Sequence, residues 1–362
     1  MQGADDQTVR AALSTGEPLA GTTGFAGELD GTLVRDVLGR VPLFVGRAVD
    51  SDDTLPAWSH DPTDLDDPTL FPAGHARDAD DTREVWTLPN PDSFGDPETA
   101  TDRVREAVET SADAVDSEGL AIAFSGGVDS ALLAARLDAP LYVAGFPDSH
   151  DVEAARSAAD LLERDLQVVE LTHDAIERAV PDIVAATGRT DAMSVQIALP
   201  LYLCAERVAA DGFDRLALGQ GADELFGGYA KVEKAPDDPR VEADTVRGAQ
   251  REVIATLPDQ LPRDVLALRA AGVEPVTPLL HDRVVSAALR LDDGMLVDGA
   301  TRKWTFRQAA LGSLPEAIAM REKKAAQYGS LAARELDRLA RQAGYKRRMD
   351  DHVRKYIESL VA

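Results

Sequence analysis

Over roughly the first 95 residues the apolar runs are short. "TLVRDV", "VPLFVGRAVD" and "EVWTLP" are separated by Pro, Asp and Gly, which predicts short strands and turns in a small β-rich domain. Residues 90–99, "NPDSFGDPET", have the composition of a linker. Beyond it, Val104, Ala107, Val108 and Val115 recur at helical spacing and predict a helix over 101–117. The pattern then alternates. Apolar strands are predicted at 120–124, 141–146, 166–171 and 214–219, with helical segments from about Ser130 to Leu137, across 151–163, and onward to about 210. Strands alternating with helices imply a parallel sheet with helical crossovers. From about 240 the chain reads as mostly helical. The expected division is 1–95, a β-rich domain; 101–335, an α/β domain; and 336–362, a charged amphipathic helical tail.

Composition narrows the setting. The 362 residues suffice for two domains, and 44% of them are hydrophobic, enough for a sizeable core. No run of 18 apolar residues occurs and the start "MQGADDQTVR" has no secretory pattern, so a soluble cytoplasmic protein without a membrane partner is expected. The single cysteine, Cys204, excludes a disulfide framework within the chain and Cys-rich metal sites. The net charge of −26 argues against nucleic acid as a partner. Only seven of the 38 basic Lys and Arg residues are lysines, none within the first 230 residues. Acid excess with scarce lysine resembles the composition of proteins from salt-loving cells, in which salt screens the self-repulsion.

The stretch "AIAFSGGVDSALLAA", residues 121–135, carries the first candidate chemistry. A buried strand, a glycine turn and a helix start form a phosphate cradle, because the first amides of a helix lack partners and carry partial positive charge. Gly126 and Gly127 let backbone approach an anion, and the hydroxyls of Ser125 and Ser130 can donate to it. Asp129 would repel phosphate unless a divalent cation such as Mg²⁺ lay between them. Ordinary helix capping explains one Ser or Asp here, not the whole set. The stretch also lacks the Gly-Lys-Ser/Thr ending of the common nucleotide loop, so cations must come from elsewhere in the chain.

Ser125-Gly126-Gly127-Val128-Asp129-Ser130 resembles the Ser-Gly-Gly-x-Asp-Ser signature of the PP-loop ATP pyrophosphatases, which split ATP between its α and β phosphates. Gly219-Gln220-Gly221-Ala222-Asp223-Glu224-Leu225-Phe226-Gly227-Gly228-Tyr229 resembles the block that marks asparagine synthetases and their β-lactam synthetase relatives. Segments 272–285 and 302–330 are similar to two further blocks of that family, so the resemblance runs from about 101 to 330. It implies a Rossmann-like parallel sheet with helices on both faces. It also implies roles: Ser125, Gly126, Gly127, Asp129, Ser130, Gly219 and Gly221 around ATP and pyrophosphate, and Asp129 and Asp223 on Mg²⁺. Lys303 and Lys323 would act as pyrophosphate cations with Arg307 as helper, and Glu274 would handle the proton of the incoming amine. Lys324 is the alternative to Lys323. The chain departs from the family at Glu274–Pro278, reading Glu-Pro-Val-Thr-Pro where Glu-Ala-Arg-Val-Pro is usual, which leaves the acid substrate open.

The implied activity is an ATP-dependent ligase that adenylates a carboxylate, with the side chain of aspartate expected, and then amidates it with ammonia to give asparagine, AMP and diphosphate. Three alternatives stay open: another carboxylate and amine pair, including closure as in β-lactam synthetases; a non-catalytic ATP-binding regulator; and a tRNA-modifying PP-loop enzyme. The paucity of cysteine and the acidic charge speak against the last. Residues 34–45 and 70–89 are similar to blocks of a class II glutaminase domain, yet residue 2 is Gln and no cysteine nucleophile stands near it. Residues 1–95 are therefore expected to be a shortened remnant. Glutamine alone should not support turnover, and ammonia could be supplied by a separate glutaminase.

Overall fold

The dipeptide Asp30-Gly31 closes the first hairpin of the amino-terminal region. Both residues adopt positive φ, 52° and 80°, as a two-residue turn matched to strand twist requires. The hairpin joins β1 (Ala26–Leu29) and β2 (Thr32–Arg35), which pair antiparallel with Ala26 opposite Arg35. The computed structural model describes residues 1–47, 55–79, 81–235, 243–321 and 331–362. Its described residues fall into two compact units.

The first unit joins Met1–Val115, Gly219–Pro262 and Thr277–Gly312. After β2 come β3 (Phe44–Val45), β4 (Trp58–Ser59), β5 (Thr69–Leu70), β6 (His75–Arg77) and β7 (Thr82–Glu84). They form a four-stranded sheet of order β1-β2-β6-β7 and a three-stranded sheet of order β4-β3-β5. A helix over Asp6–Thr15 precedes them, capped by Asp5, whose side chain accepts from Thr8 N, and ended by Gly16 at φ 71°. Phe25 packs edge-on to Trp86 with ring centroids 5.5 Å apart. The helix Pro97–Asp113 packs on the helices Asp282–Ala288 and Trp304–Ala310.

The β-rich region is thus not a unit by itself: the first unit runs on through the boundary expected at 95, and the second through the one expected at 335. One physical reason is Arg35. It is completely buried, and its guanidinium donates to the carbonyls of Val41, Phe71, Gly39 and Pro258. Burial pulls its pKa down to about 10. A buried cation must find acceptors wherever the chain supplies them, and here one comes from Pro258.

The second unit joins Asp116–Leu218, Arg263–Val276 and Ser313–Ala362. Its sheet contains β8 (Leu120–Ala123), β9 (Leu141–Gly145), β10 (Leu166–Glu170), β11 (Arg215–Ala217) and β12 (Glu274–Val276), parallel throughout, in the order β10-β9-β8-β11-β12. Leu120, Ala121 and Ile122 are at most 1% exposed, as a strand covered on both faces requires. Helices Val128–Arg136, His150–Leu161, His173–Thr187 and Ala192–Ala210 make the crossovers. The expected strands at 120–124, 141–146, 166–171 and 214–219 all form. β12 goes beyond them; its Pro275 lacks a ladder donor and is tolerated because β12 is an edge strand.

The tail forms two helices, Ala332–Gln342 and His352–Val361, whose Leu336, Leu339, Val353, Tyr356 and Ile357 join the core formed by Leu199, Tyr202, Leu203 and Val208. Among the described residues no helix is long and apolar enough to cross a membrane.

Candidate functional site

The sheet of the second unit grows from β8 outward to β9 and β10, then returns to the other side of β8 with β11 and β12. Open parallel sheets bind ligands at the carboxyl ends of their strands, where the winding direction reverses. That point lies between β8 and β11. The loop Phe124–Gly127 leaves the carboxyl end of β8. Gly126 has φ 70°, and a Cβ built there would lie 2.4 Å from the carbonyl oxygen of Ala154, so only glycine fits. Gly127 caps the helix Val128–Arg136 in extended conformation and offers no side-chain acceptor to its first amides. The Ser125 amide donates to Ser130 Oγ at 3.2 Å, and Ser130 Oγ donates to Gly127 O at 3.3 Å. The two serine hydroxyls are 3.4 Å apart. Asp129 and Ser130 are each only 3% exposed. Arg321 donates to the same Ala154 carbonyl at 2.9 Å and to Ser157 Oγ at 3.0 Å, which brings a guanidinium to the wall behind Gly126.

In the first unit the chain that has left β11 turns at Gly221, φ 92°, into a short helix Ala222–Leu225. Asp223 Oδ1 lies 2.6 Å from Lys303 Nζ; the lysine side chain is 4% exposed and the aspartate 38%. Lys303 has left-handed backbone, φ 58° and ψ 36°, at the start of the helix Trp304–Ala310. Two arginines fix that turn. Arg302 donates to Gly228 O at 2.7 Å, and Arg307 Nε donates to Arg302 O at 2.8 Å. Phe226 and Phe306 stack with centroids 4.5 Å apart. Tyr229 donates its hydroxyl to Glu224 Oε1 at 2.5 Å. Burial pushes the Glu224 carboxyl above its ordinary range against that hydrogen bond, and the neighbouring Asp223 charge adds to the rise. The arrangement is a buried cation paired to a half-exposed carboxylate on a glycine-bounded loop. It suits an anionic ligand that exchanges charge with the pair.

Residues 99–245 and 233–358 match the family described as asparagine synthase. The chain belongs to the asparagine synthase family. A Methanocaldococcus jannaschii protein provisionally named glutamine-hydrolyzing asparagine synthetase 1 is 30% identical over 66% of this chain and 51% of its own length. Asparagine synthetase B of Escherichia coli, named as glutamine-hydrolyzing, is 28% identical over 51% of this chain and 33% of its own. A nodule asparagine synthetase of Pisum sativum is 26% identical over 81% of this chain and 54% of its own. The chain therefore spans about half, or less, of the length of the curated relatives it matches.

Within this member of the family the expected site residues divide between the units. Ser125, Gly126, Gly127, Asp129 and Ser130 come together in the second, and Gly219, Gly221, Asp223, Lys303 and Arg307 belong to the first. Lys323 and Lys324 lie outside the described residues. The structure does not bring Glu274 to the Phe124–Gly127 loop. Glu274 opens β12 in register with Arg215 of β11, which is in turn level with Leu120 at the start of β8. That is the amino end of the sheet; the loop begins beyond Ala123, and strands rise about 3.3 Å per residue, so roughly 10 Å of strand intervenes. The Glu274 side chain is 60% exposed and pairs with Arg269 at 3.0 Å. Glu224, Tyr229, Arg302 and Arg321 were legible as parts of motifs, but nothing in the spacing assigned them partners. Among the described residues no three His, Cys, Asp or Glu cluster into a metal site. Asp129 in the second unit and Asp223 in the first each offer hard carboxylate oxygens, the donor type that Mg²⁺ takes one or two at a time with phosphate oxygens and water completing six positions.

Proposed function

We propose that this chain is an ATP-dependent carbon–nitrogen ligase that makes asparagine, AMP and diphosphate from aspartate, ammonia and ATP. The side-chain carboxylate of aspartate attacks the α phosphorus, and the bond from that phosphorus to the bridging oxygen breaks. Ammonia then adds to the acyl carbon, sheds a proton, and displaces AMP. The observation that carries this reading is the Ser125–Ser130 loop at the reversal point of a parallel sheet, with a lysine-free phosphate cradle that needs cations from elsewhere. Ser125, Ser130 and the backbone at Gly126 and Gly127 would hold the phosphates, with Gly219 and Gly221 shaping the second loop. Asp129 and Asp223 are the carboxylates proposed for Mg²⁺, which when bound would offset phosphate charge. Lys303 and Lys323 would take up the charge of the departing diphosphate. Arg307 serves by holding the Lys303 turn. Glu274 has no part in this mechanism, given its place at the amino end of β12.

Ammonia as the nitrogen donor is supported by Cys204. The only cysteine is 4% exposed, and burial pushes its thiol up to about 12, so a thiolate is not at hand at neutral pH. A separate glutaminase is the proposed source when glutamine is the donor. The Glu274–Pro278 departure favours a second reading, in which the acid and amine are another pair, as in β-lactam synthetases.

The test incubates the chain with Mg-ATP, ammonium and a panel of amino acids and identifies the nucleotide product. Aspartate-dependent AMP and diphosphate are expected. ADP would overturn the mechanism, and AMP formed with another amino acid would select the second reading. ATP binding without turnover would select a regulator, and product from glutamine alone would overturn the ammonia reading.

A further inference from the structure

The amino-terminal region reaches the Gly219–Asp223 turn through one arginine. Arg40 is 5% exposed, and its guanidinium works in three directions. Nε donates to Asp36 Oδ1 at 2.8 Å, and Nη1 donates to Asp282 Oδ1 and to the carbonyl of Leu280, each at 2.7 Å. Asp282 is itself pinned, because its Oδ2 accepts from Thr22 N at 2.8 Å and its own amide donates to Thr22 O. Leu280, 1% exposed, presses its side chain onto the glycine turn: a Cβ built on Gly221 would lie 2.4 Å from Leu280 Cδ2. Gly221 starts the short helix that carries Asp223, and Asp223 holds Lys303. A continuous path of contacts therefore runs from β2's neighbour Asp36 to the ion pair.

We propose that Arg40 is a positioning residue for the Asp223–Lys303 pair, and that the amino-terminal region serves the synthetase site by holding Leu280 against Gly221. This rests on the function proposed above. A planar guanidinium can bridge two carboxylates and a carbonyl at once, whereas an ammonium on a flexible stem cannot hold all three in that geometry. Arg40→Lys keeps the charge and loosens the Leu280 carbonyl. Leu280→Ala opens space over Gly221 and leaves the charges alone.

Both variants are compared with Leu33→Ala, which weakens an amino-terminal core cluster that includes neither Arg40 nor Leu280. The first readout is hydrogen exchange of the full ligand-free chain, and the second is the Mg²⁺ concentration that half-saturates AMP formation. Loss of one charge-assisted hydrogen bond predicts exchange over 219–225 faster by about tenfold in Arg40→Lys. Leu280→Ala should share the direction, β8 should be unchanged, and both variants should need severalfold more Mg²⁺. Leu33→Ala should lower the melting temperature without that local change. The inference is overturned if exchange over 219–225 in Arg40→Lys and Leu280→Ala follows melting temperature as it does in Leu33→Ala. If Arg40→Lys does not fold, Leu280→Ala decides alone. Exchange needs no turnover, so a chain that makes no AMP defeats the proposed function and leaves this comparison standing.

Discussion

Lys303 Nζ sits 2.6 Å from Asp223 Oδ1, and the two differ sharply in exposure, 4% against 38%. Removing the carboxylate takes a close counter-charge from a buried ammonium, while a half-exposed carboxylate stripped of its lysine is still solvated. Asp223→Ala should therefore destabilise the fold by roughly 3 kcal/mol, and Lys303→Met by about 1 kcal/mol or less. The double variant should recover most of the difference. Urea unfolding of the four proteins measures it; equal losses for the two single variants would contradict the asymmetry.

Gly228 guards that pair. A Cβ there would lie 2.1 Å from Asp223 Oδ1 and 2.5 Å from Lys303 Cε. Gly228→Ala should part the ion pair and lower kcat for AMP formation about a hundredfold, the scale of losing one preorganised charge contact. Steady-state kinetics with ammonium and aspartate reads it directly.

Gly126 is constrained twice, by φ of 70° and by the Ala154 carbonyl 2.4 Å from any Cβ. Gly126→Ala must shift the loop or the helix His150–Leu161. A cost of about 1–3 kcal/mol is expected for the backbone alone, together with weaker ATP binding by calorimetry. Unchanged ATP affinity would remove this loop from the nucleotide site.

Asp337 joins the two carboxyl-terminal helices. A hydrogen bond from Arg347 holds its carboxyl down at about 2, helped by His352 and Arg341 against partial burial. Its folded value is depressed below the ordinary 3.8, so its stabilisation is complete above that value and is lost as pH falls through about 2. Exchange over 352–361 should accelerate between pH 4 and pH 2, and Asp337→Asn should flatten that dependence.

The charge of −26 predicts a salt requirement. At about 1 M salt the Debye length shrinks to roughly 3 Å and self-repulsion is screened. Melting temperature and activity should both rise from 0.1 to 2 M KCl by thermal scans and assay; full stability without added salt would refute this reading.

Much of the fold was legible because its signals are local. The apolar run Leu120–Ala123 and the glycine turn after it report backbone geometry within a few residues, and they form as expected. The hairpin at Asp30-Gly31 and the capped helix Asp6–Thr15 carried equally local signals that a reading of "short strands and turns" passed over. β12 was hidden by Pro275, whose place at a sheet edge no local pattern announces.

The sequence by itself determined the alternation of strands and helices over 120–219, the lysine-free glycine turn at Ser125–Ser130, and the inventory of carboxylates and cations. Tertiary structure alone decided that Lys303 meets Asp223, that Glu274 opens its strand at the far end from the cradle, and that Arg40 grips a carbonyl 240 residues away. The physical reason is range. Periodicity and turn chemistry record hydrogen bonds along a few residues of backbone, whereas strand register and the burial of a charge are settled by segments that meet only when the chain has folded.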